Sequence, residues 1–510
     1  MSLNFFIFFA YYFIILISII GYGYFLLSFE KNNKNYLNFG YIGILGLFFL
    51  IIYSYLSNIF IPHSKNHNIV VIIFGLISFL YFIIKYYKKK FFKKNFIFLL
   101  SVFFIIFFSL LIFKNHDDFL YYHFSYTYNL TQNDLDFGIG KFNHGFRTPS
   151  SIFYLNSLFY LPLVEYFSFN FSAAYILGFA NIILLKNITN FFVTFEFKSK
   201  KIDFINYLAL LFFIFVNIFF YRLSEHGTDR SAQILILVLF IYLLNYFQNL
   251  KNNTIDLFFL YALFGIIISL KAFYFLYFIF FIPLFYFVFK KKKNFLDSIN
   301  FFLKNRYFVY FLFLILFVVF SYFANTGCLL YPVAFTCFDN LAWSISSDVA
   351  SQMNDHYELW SKAGLTPISK VSNPSEYIQG FNWVNNWINL YFFNKVSDFL
   401  LGLFFVILIL KLCLMGNSKI KNFDYSNKCI IGTYLLLIIL LFEWFYNHPA
   451  LRYGGFSIFV LLIFIPFSIY FARYKLDYKK FNKIAIILII TSVLILELRN
   501  TVRIVKEINI

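Results

Sequence analysis

The sequence predicts an all-α, polytopic integral membrane helix bundle of about fourteen spans, with interfacial helices and one large outer loop. Three observations lead there. Of 510 residues, 61% are hydrophobic and only 13% are charged, roughly half the charged fraction of a soluble domain. Apolar runs of spanning length recur along the chain. Basic residues gather in alternate connecting loops. This composition excludes a cytosolic enzyme, a disordered chain and a disulfide scaffold, because too few polar side chains exist to cover a soluble fold of this size. In a soluble protein the net charge of +19 would suggest nucleic acid. Here it follows from the positive-inside rule, and no nucleic acid partner is expected.

The apolar runs fall at about 5–27, 37–61, 69–86, 95–113, 171–193, 203–221, 231–248, 256–270, 272–289, 308–324, 399–415, 429–446, 453–472 and 483–498. The first has no preceding basic residue and no small-residue cleavage site, so it reads as a retained span. A further stretch, 151–167, reads either as a span or as a re-entrant segment. Basic residues at 85, 88–90, 93 and 94, and again at 290–293, 304 and 306, sit in short loops. Smaller basic clusters lie at 31–34, 198–201, 251, 419–428 and 473–483. Placing all of these inside puts 26 of the 42 basic residues on one side. The count closes only with a sharp turn at Lys271 and with 151–167 not crossing. Both termini then lie outside, and Arg499, Arg503 and Lys506 in the outer tail fit least well. The chain divides into a four-span bundle (1–113), a core with acidic outer loops at 114–150 and 222–230 (114–324), a long outer loop (325–398) and C-terminal spans (399–510).

Most concentrated polar chemistry falls on the outer side. Asp117 and Asp118 follow the fourth span within KNHDDFLYYHF. In a helix there, Asp117 shares a face with Tyr121, and Phe119 with His123. One carboxylate suffices to cap a helix; two can accept a proton from a hydroxyl or hold a divalent cation. YRLSEHGTDRSAQ crowds Glu225, His226 and Asp229 between two spans. It reads as a solvated turn with local ion pairs, or as an Asp/Glu/His mixture with metal-ligand chemistry whose spacing is not diagnostic. Lys271 sits in ISLKAFYF, where a lysine either snorkels or meets a phosphate oxygen. FYNHPALRYGGF carries His448, Arg452 and Tyr453, and its arginine suits either bidentate phosphate contact or interfacial anchoring. In the 325–398 loop the aromatic and Asn residues suit sugar stacking or an interfacial cover equally. Cys328 and Cys337, both on the outer side, either pair in an oxidising compartment or stay as thiols, and Cys413 and Cys429 at cytoplasmic ends read as buried or reduced thiols.

An acidic pair after an early span, the DDFLYYHF helix, and Gly and Pro before SSIFYLNSLFYLP together resemble the GT-C superfamily of membrane glycosyltransferases. They are most similar to a group of bacterial polytopic membrane proteins without an assigned activity. Four spans before the acidic loop are a departure, since in typical members that loop follows the first span. The resemblance implies a polyprenyl-phosphate sugar donor, a glycan or lipid acceptor, and inverting transfer at the periplasmic face of the bacterial inner membrane. It casts Asp117 or Asp118 as general base. His123, Lys271, His448, Arg452 and Tyr453 would be substrate and phosphate contacts, and Asp229 with Glu225 would hold a possible divalent metal. A lipid-sugar flippase or transporter and a polysaccharide polymerase are the alternatives. A transporter calls for charges deep in the spans and for internal pseudo-symmetry. Few charges meet the first demand, chiefly Glu165, Lys186 and Glu443, and no internal repeat is evident.

The orientation is directly testable. A cysteine at position 360 is expected to react with an impermeant thiol reagent in intact cells, and one at position 291 only after permeabilisation. Reaction in the reverse order overturns the topology.

Overall fold

The computed structural model of the protein describes residues 2–29, 38–88, 91–112, 116–189, 202–222, 227–248, 254–364, 371–416, 418–419 and 427–508. It is an all-α, multi-pass membrane bundle. Among the described residues the only paired strands are Ser418–Lys419 and Tyr474–Lys475, which meet antiparallel.

Among the described residues twelve helical stretches are long and apolar enough to cross a bilayer. Two shorter apolar helices, Phe204–Phe219 and Leu257–Leu270, complete the fourteen runs read from the sequence. The short pair is central. Apart from a few positions at their ends, their side chains are buried on every face, as expected of helices surrounded by other helices. Peripheral helices instead keep one exposed apolar face. In Lys65–Tyr86, Val70, Ile73, Phe74, Ile77, Leu80 and Ile84 are exposed. Such a face needs lipid, because water would oppose it.

Two details differ from the sequence reading. The span expected at 399–415 begins earlier, and Val384–Leu414 is continuous, since a π-helical stretch at Ile388–Val396 joins the turns before and after it. The last helix reaches Ile508. Its outer arginines are accommodated there: Arg499 donates to Ile218 O at 2.7 Å, and Arg499 and Arg503 lie over the Tyr221 ring at 4.8 and 5.9 Å.

Contacts between loops sort the two ends of the bundle. At the basic end, besides the strand pair, Asn427 Nδ2 donates to Phe247 O at 2.9 Å and Asn206 Nδ2 to Asn187 O at 2.7 Å. Lys85 and Lys290–Lys293 are exposed at that end; Lys89 and Lys90 lie outside the described residues. At the acidic end, Gly138 N donates to Ala324 O at 2.7 Å, Lys141 Nζ to Ala342 O at 2.8 Å, and Arg147 Nη1 to the Tyr331 hydroxyl at 3.2 Å. Each contact joins loops or helix ends that the pattern of basic residues assigns to one side.

The ambiguous stretch 151–167 does not cross. Ser151–Ser157 is a seven-residue helix, buried throughout, and spans about 10 Å at 1.5 Å per residue, against about 30 Å of hydrocarbon. Its end is held from the third span and the connection before it. His63 Nδ1 lies 2.6 Å from Ser157 Oγ, and Asn68 Nδ2 donates to Ser157 O at 2.8 Å. The four N-terminal spans share the core with the rest: Tyr41 stacks on Phe259 at 4.2 Å, and Phe103 meets Phe179 at 4.9 Å.

The first and third spans touch backbone to backbone. A Cβ built on Gly21 would lie 1.9 Å from Gly75 O, and one on Gly75 would lie 2.0 Å from Ser18 Oγ. The approach lets Tyr22 OH donate to Val71 O at 2.6 Å. Gly75→Ile is therefore expected to abolish monodisperse protein in size-exclusion chromatography. Gly432→Ala, where a Cβ meets nothing within 4 Å, should behave as wild type. Normal elution of Gly75→Ile would contradict the close packing.

Candidate functional site

The acidic end holds an ion network built from four separate parts of the chain. Arg452 is its centre. Its Nε donates to Asp229 Oδ2 at 3.2 Å and its Nη2 to Asp118 Oδ2 at 3.1 Å. Lys271 pairs with the other Asp229 oxygen, Oδ1. His116 Nδ1 lies 3.2 Å from Asp118 Oδ2. Aromatic rings wall the cations: Tyr453 lies 4.9 Å from Lys271 Nζ and 5.5 Å from the Arg452 guanidinium, with Trp360 5.8 Å from the latter.

Local sequence explains each placement. Asp229 lies in the first turn of the helix Gly227–Gln248, where the helix dipole favours an anion. Gln233, one turn on, donates from Nε2 to Arg452 O at 3.2 Å and accepts from Ser457 N at 3.2 Å. Lys271 occupies an extended residue between Leu257–Leu270 and the following helical turns. Ser150 Oγ donates to Leu270 O at 2.7 Å and fixes that break. Arg452 is aimed by the turn after Pro449. Trp387 Nε1 donates to Pro449 O at 2.8 Å, Trp444 Nε1 to Ala450 O at 3.0 Å, and Leu451 N to the Tyr391 hydroxyl at 2.8 Å. Gly454 turns the chain at φ +87, and a Cβ there would lie 2.7 Å from the Phe273 ring. Only glycine takes that conformation without strain.

The helix Ser347–Lys362 packs at the acidic end and presents Trp360 to the network. Lys362 anchors its end. Fully buried, it pairs with Glu358, donates to Ile378 O at 2.8 Å, and lies 5.3 Å from the Trp383 ring centre. Trp383 and Trp387 are themselves buried, so the long loop is mainly a packed cover. The bond between Cys328 and Cys337 closes a turn within it; Cys413 and Cys429 are free thiols.

Of the residues expected from the sequence, Asp118, Asp229, Lys271, Arg452 and Tyr453 come together. His123 borders them, packed 5.0 Å from Phe153, and burial lowers its pKa to about 4. His448 lies 6.0 Å from Tyr453; burial, with Lys362 and Lys271 nearby, lowers it to about 4. Both imidazoles are therefore neutral at physiological pH. Asp117 is exposed, and Asp118 enters the network in its place. Glu225 lies outside the described residues, as does His226. Both Asp229 oxygens are occupied by the protein's own cations. Among the described residues no group of three or more His, Cys, Asp or Glu is arranged to hold a metal ion. His116, Gln233 and Trp360 belong to the site but were not singled out in the sequence. The available signals were His116 two residues before Asp118 and Gln233 one helical turn beyond Asp229.

Electrostatics divide the two carboxylates. Asp229 is only 6% exposed and Asp118 is 28% exposed. Burial works to raise the Asp118 pKa, but His116 and Arg452 outweigh it and hold the carboxyl well below the usual range. Burial lowers Lys271, with Asp229 opposing. The arrangement offers two cations and an accessible carboxylate beside aromatic faces, a set suited to an anionic ligand with a neighbouring hydroxyl.

The family match covers residues 5–459. The chain belongs to the family described as Domain of unknown function (DUF8201). Every residue of the network lies within the matched stretch. Among curated proteins and solved structures, none matches the chain.

His116 gives the network a pH signature. Asp118 raises its pKa, with burial opposing. A raised folded pKa contributes stability that is complete below the unfolded value of about 6.5 and is lost as pH rises through the folded value. The thermal-midpoint difference between wild type and His116→Gln should be widest below about pH 6 and shrink above neutrality. A difference that grows with pH would contradict the pair.

Proposed function

We propose that the protein is an integral membrane glycosyltransferase of the GT-C kind. It would transfer a sugar from a polyprenyl-phosphate-linked donor to a cell-envelope glycan or lipid acceptor at the periplasmic face of the bacterial inner membrane. The observation that carries this reading is the Asp118–Arg452–Asp229–Lys271 network at the acidic end of a membrane bundle. The Cys328–Cys337 bond at the same end supports an oxidising, periplasmic location.

In this reading the acceptor hydroxyl oxygen attacks the anomeric carbon and passes its proton to Asp118. The bond from that carbon to the donor phosphate breaks, and its electron pair leaves on the phosphate oxygen. Arg452 and Lys271 offset the charge that develops there. Asp229 holds both cations in place, and Tyr453 and Trp360 offer ring faces to sugar or prenyl carbons.

The test is sugar transfer in membranes, or restoration of a surface glycan in a deletion strain, at matched expression. General-base catalysis contributes about 10²–10⁴-fold, so Asp118→Asn should lose more than tenfold. Arg452→Lys should also lose activity, because an ammonium cannot reproduce the guanidinium fork. Asp117→Asn, one residue away and exposed, should retain most of it. Full activity in Asp118→Asn would sink this mechanism and favour a lipid-sugar flippase.

A further inference from the structure

The two carboxylates on Arg452 differ in how replaceable they are. Asp229 is nearly buried, and its oxygens are divided between Lys271 and Arg452 Nε. It is scaffold. Asp118 is the more exposed of the two, is held among the described residues through Oδ2, and has a second partner in His116 to remain with. On the guanidinium, Nε is committed to Asp229 and Nη2 to Asp118. Among the described residues Nη1 makes no hydrogen bond. The terminal edge of the fork, Nη1 with Nη2, therefore carries one protein anion where a bidentate phosphate would sit. A phosphate on that edge would share Nη2 with Asp118; that nitrogen carries two N–H groups, so it is the repulsion between two anions at one nitrogen that sets them in competition.

We propose that Asp118 is a built-in competitor for the anion site. The donor's phosphate displaces it from Arg452, and only this exchange frees its carboxylate to face the acceptor hydroxyl. The inference rests on the glycosyltransferase reading and adds to it an order of events, donor before acceptor. With no donor bound, Asp118 is neutralised by Arg452 and is a poor base. With phosphate on Arg452, Asp118 keeps only His116 and its basicity rises. Donor binding thus arms the base, and an acceptor arriving first meets an inactive site. The ligand chemistry is a phosphate anion, either a prenyl-linked headgroup or a free phosphate.

The experiment is equilibrium binding to the full chain in phosphatidylcholine nanodiscs, read by thermophoresis. The probes are decaprenyl phosphate, inorganic phosphate and, as uncharged control, decaprenol. For wild type, decaprenyl phosphate should bind, decaprenol far less, and inorganic phosphate only weakly if the prenyl chain supplies affinity. Asp118→Asn, and Asp118→Ser should the first variant fail to fold, should bind decaprenyl phosphate about fivefold more tightly, the scale of losing a partly exposed ion-pair competitor. Asp118→Glu keeps the competing charge and should stay near wild type. Arg452→Gln should bind the phosphate more weakly. A base that does not compete would leave affinity unchanged in Asp118→Asn. That result, or weaker binding, overturns the competitor and leaves the glycosyltransferase reading standing. Failure of wild type and every variant to bind either phosphate removes both.

Discussion

One guanidinium holds this site together. Arg452 reaches carboxylates 334 and 223 residues away in sequence, and with Lys271 it ties four parts of the chain into one cluster. The surrounding bundle is too apolar to solvate separated charges. A single buried ion there costs several kcal/mol after relaxation, so each member of the network depends on the others. The hydrogen bonds from Trp387, Trp444 and Tyr391 to the 449–451 turn, and from Gln233 to Arg452 O, hold the residue that all of them share.

The bundle around it is set by a different constraint. Lipid supplies no hydrogen bonds, so the chain must satisfy its backbone within helices. Association must then come from close packing and a few polar contacts. The Gly21–Gly75 approach and the His63–Ser157–Asn68 contacts are such devices. Aromatic abundance fits the same need, since 83 Phe and 41 Tyr pack edge-to-face through much of the core.

The helices were legible in the sequence because spanning length and hydrophobicity are local properties. All fourteen runs became helices, and the basic loops sorted the ends. The break at Lys271 was legible too, since a lysine between two apolar runs without a loop requires a turn. The site was legible only in part. Asp118, Asp229, Lys271, Arg452 and Tyr453 stood out as polar groups at one end. Which of Asp117 and Asp118 faces inward depends on the phase of a short helix with a π-helical turn at Phe119–His123, and phase is not a property of the pair itself. Trp360 lies in a soluble-like loop whose docking depends on the buried anchor Lys362, a contact no spacing rule reports. The span from Val384 was hidden for a related reason: its first turns are rich in Asn and Trp and read as loop.

The order in which the chain is made gives the shared arginine another meaning. Translation delivers His116 and Asp118 first, two residues apart, then Asp229 and Lys271, separated by two spans. Each pair joins opposite charges once His116 is protonated, so each can enter the bilayer close to neutral. Arg452 emerges last. Until it arrives there is no joint between the two pairs. Completion of the site thus waits until synthesis has passed residue 452. A chain that stops before residue 452 leaves two neutral couples in the membrane and no assembled centre.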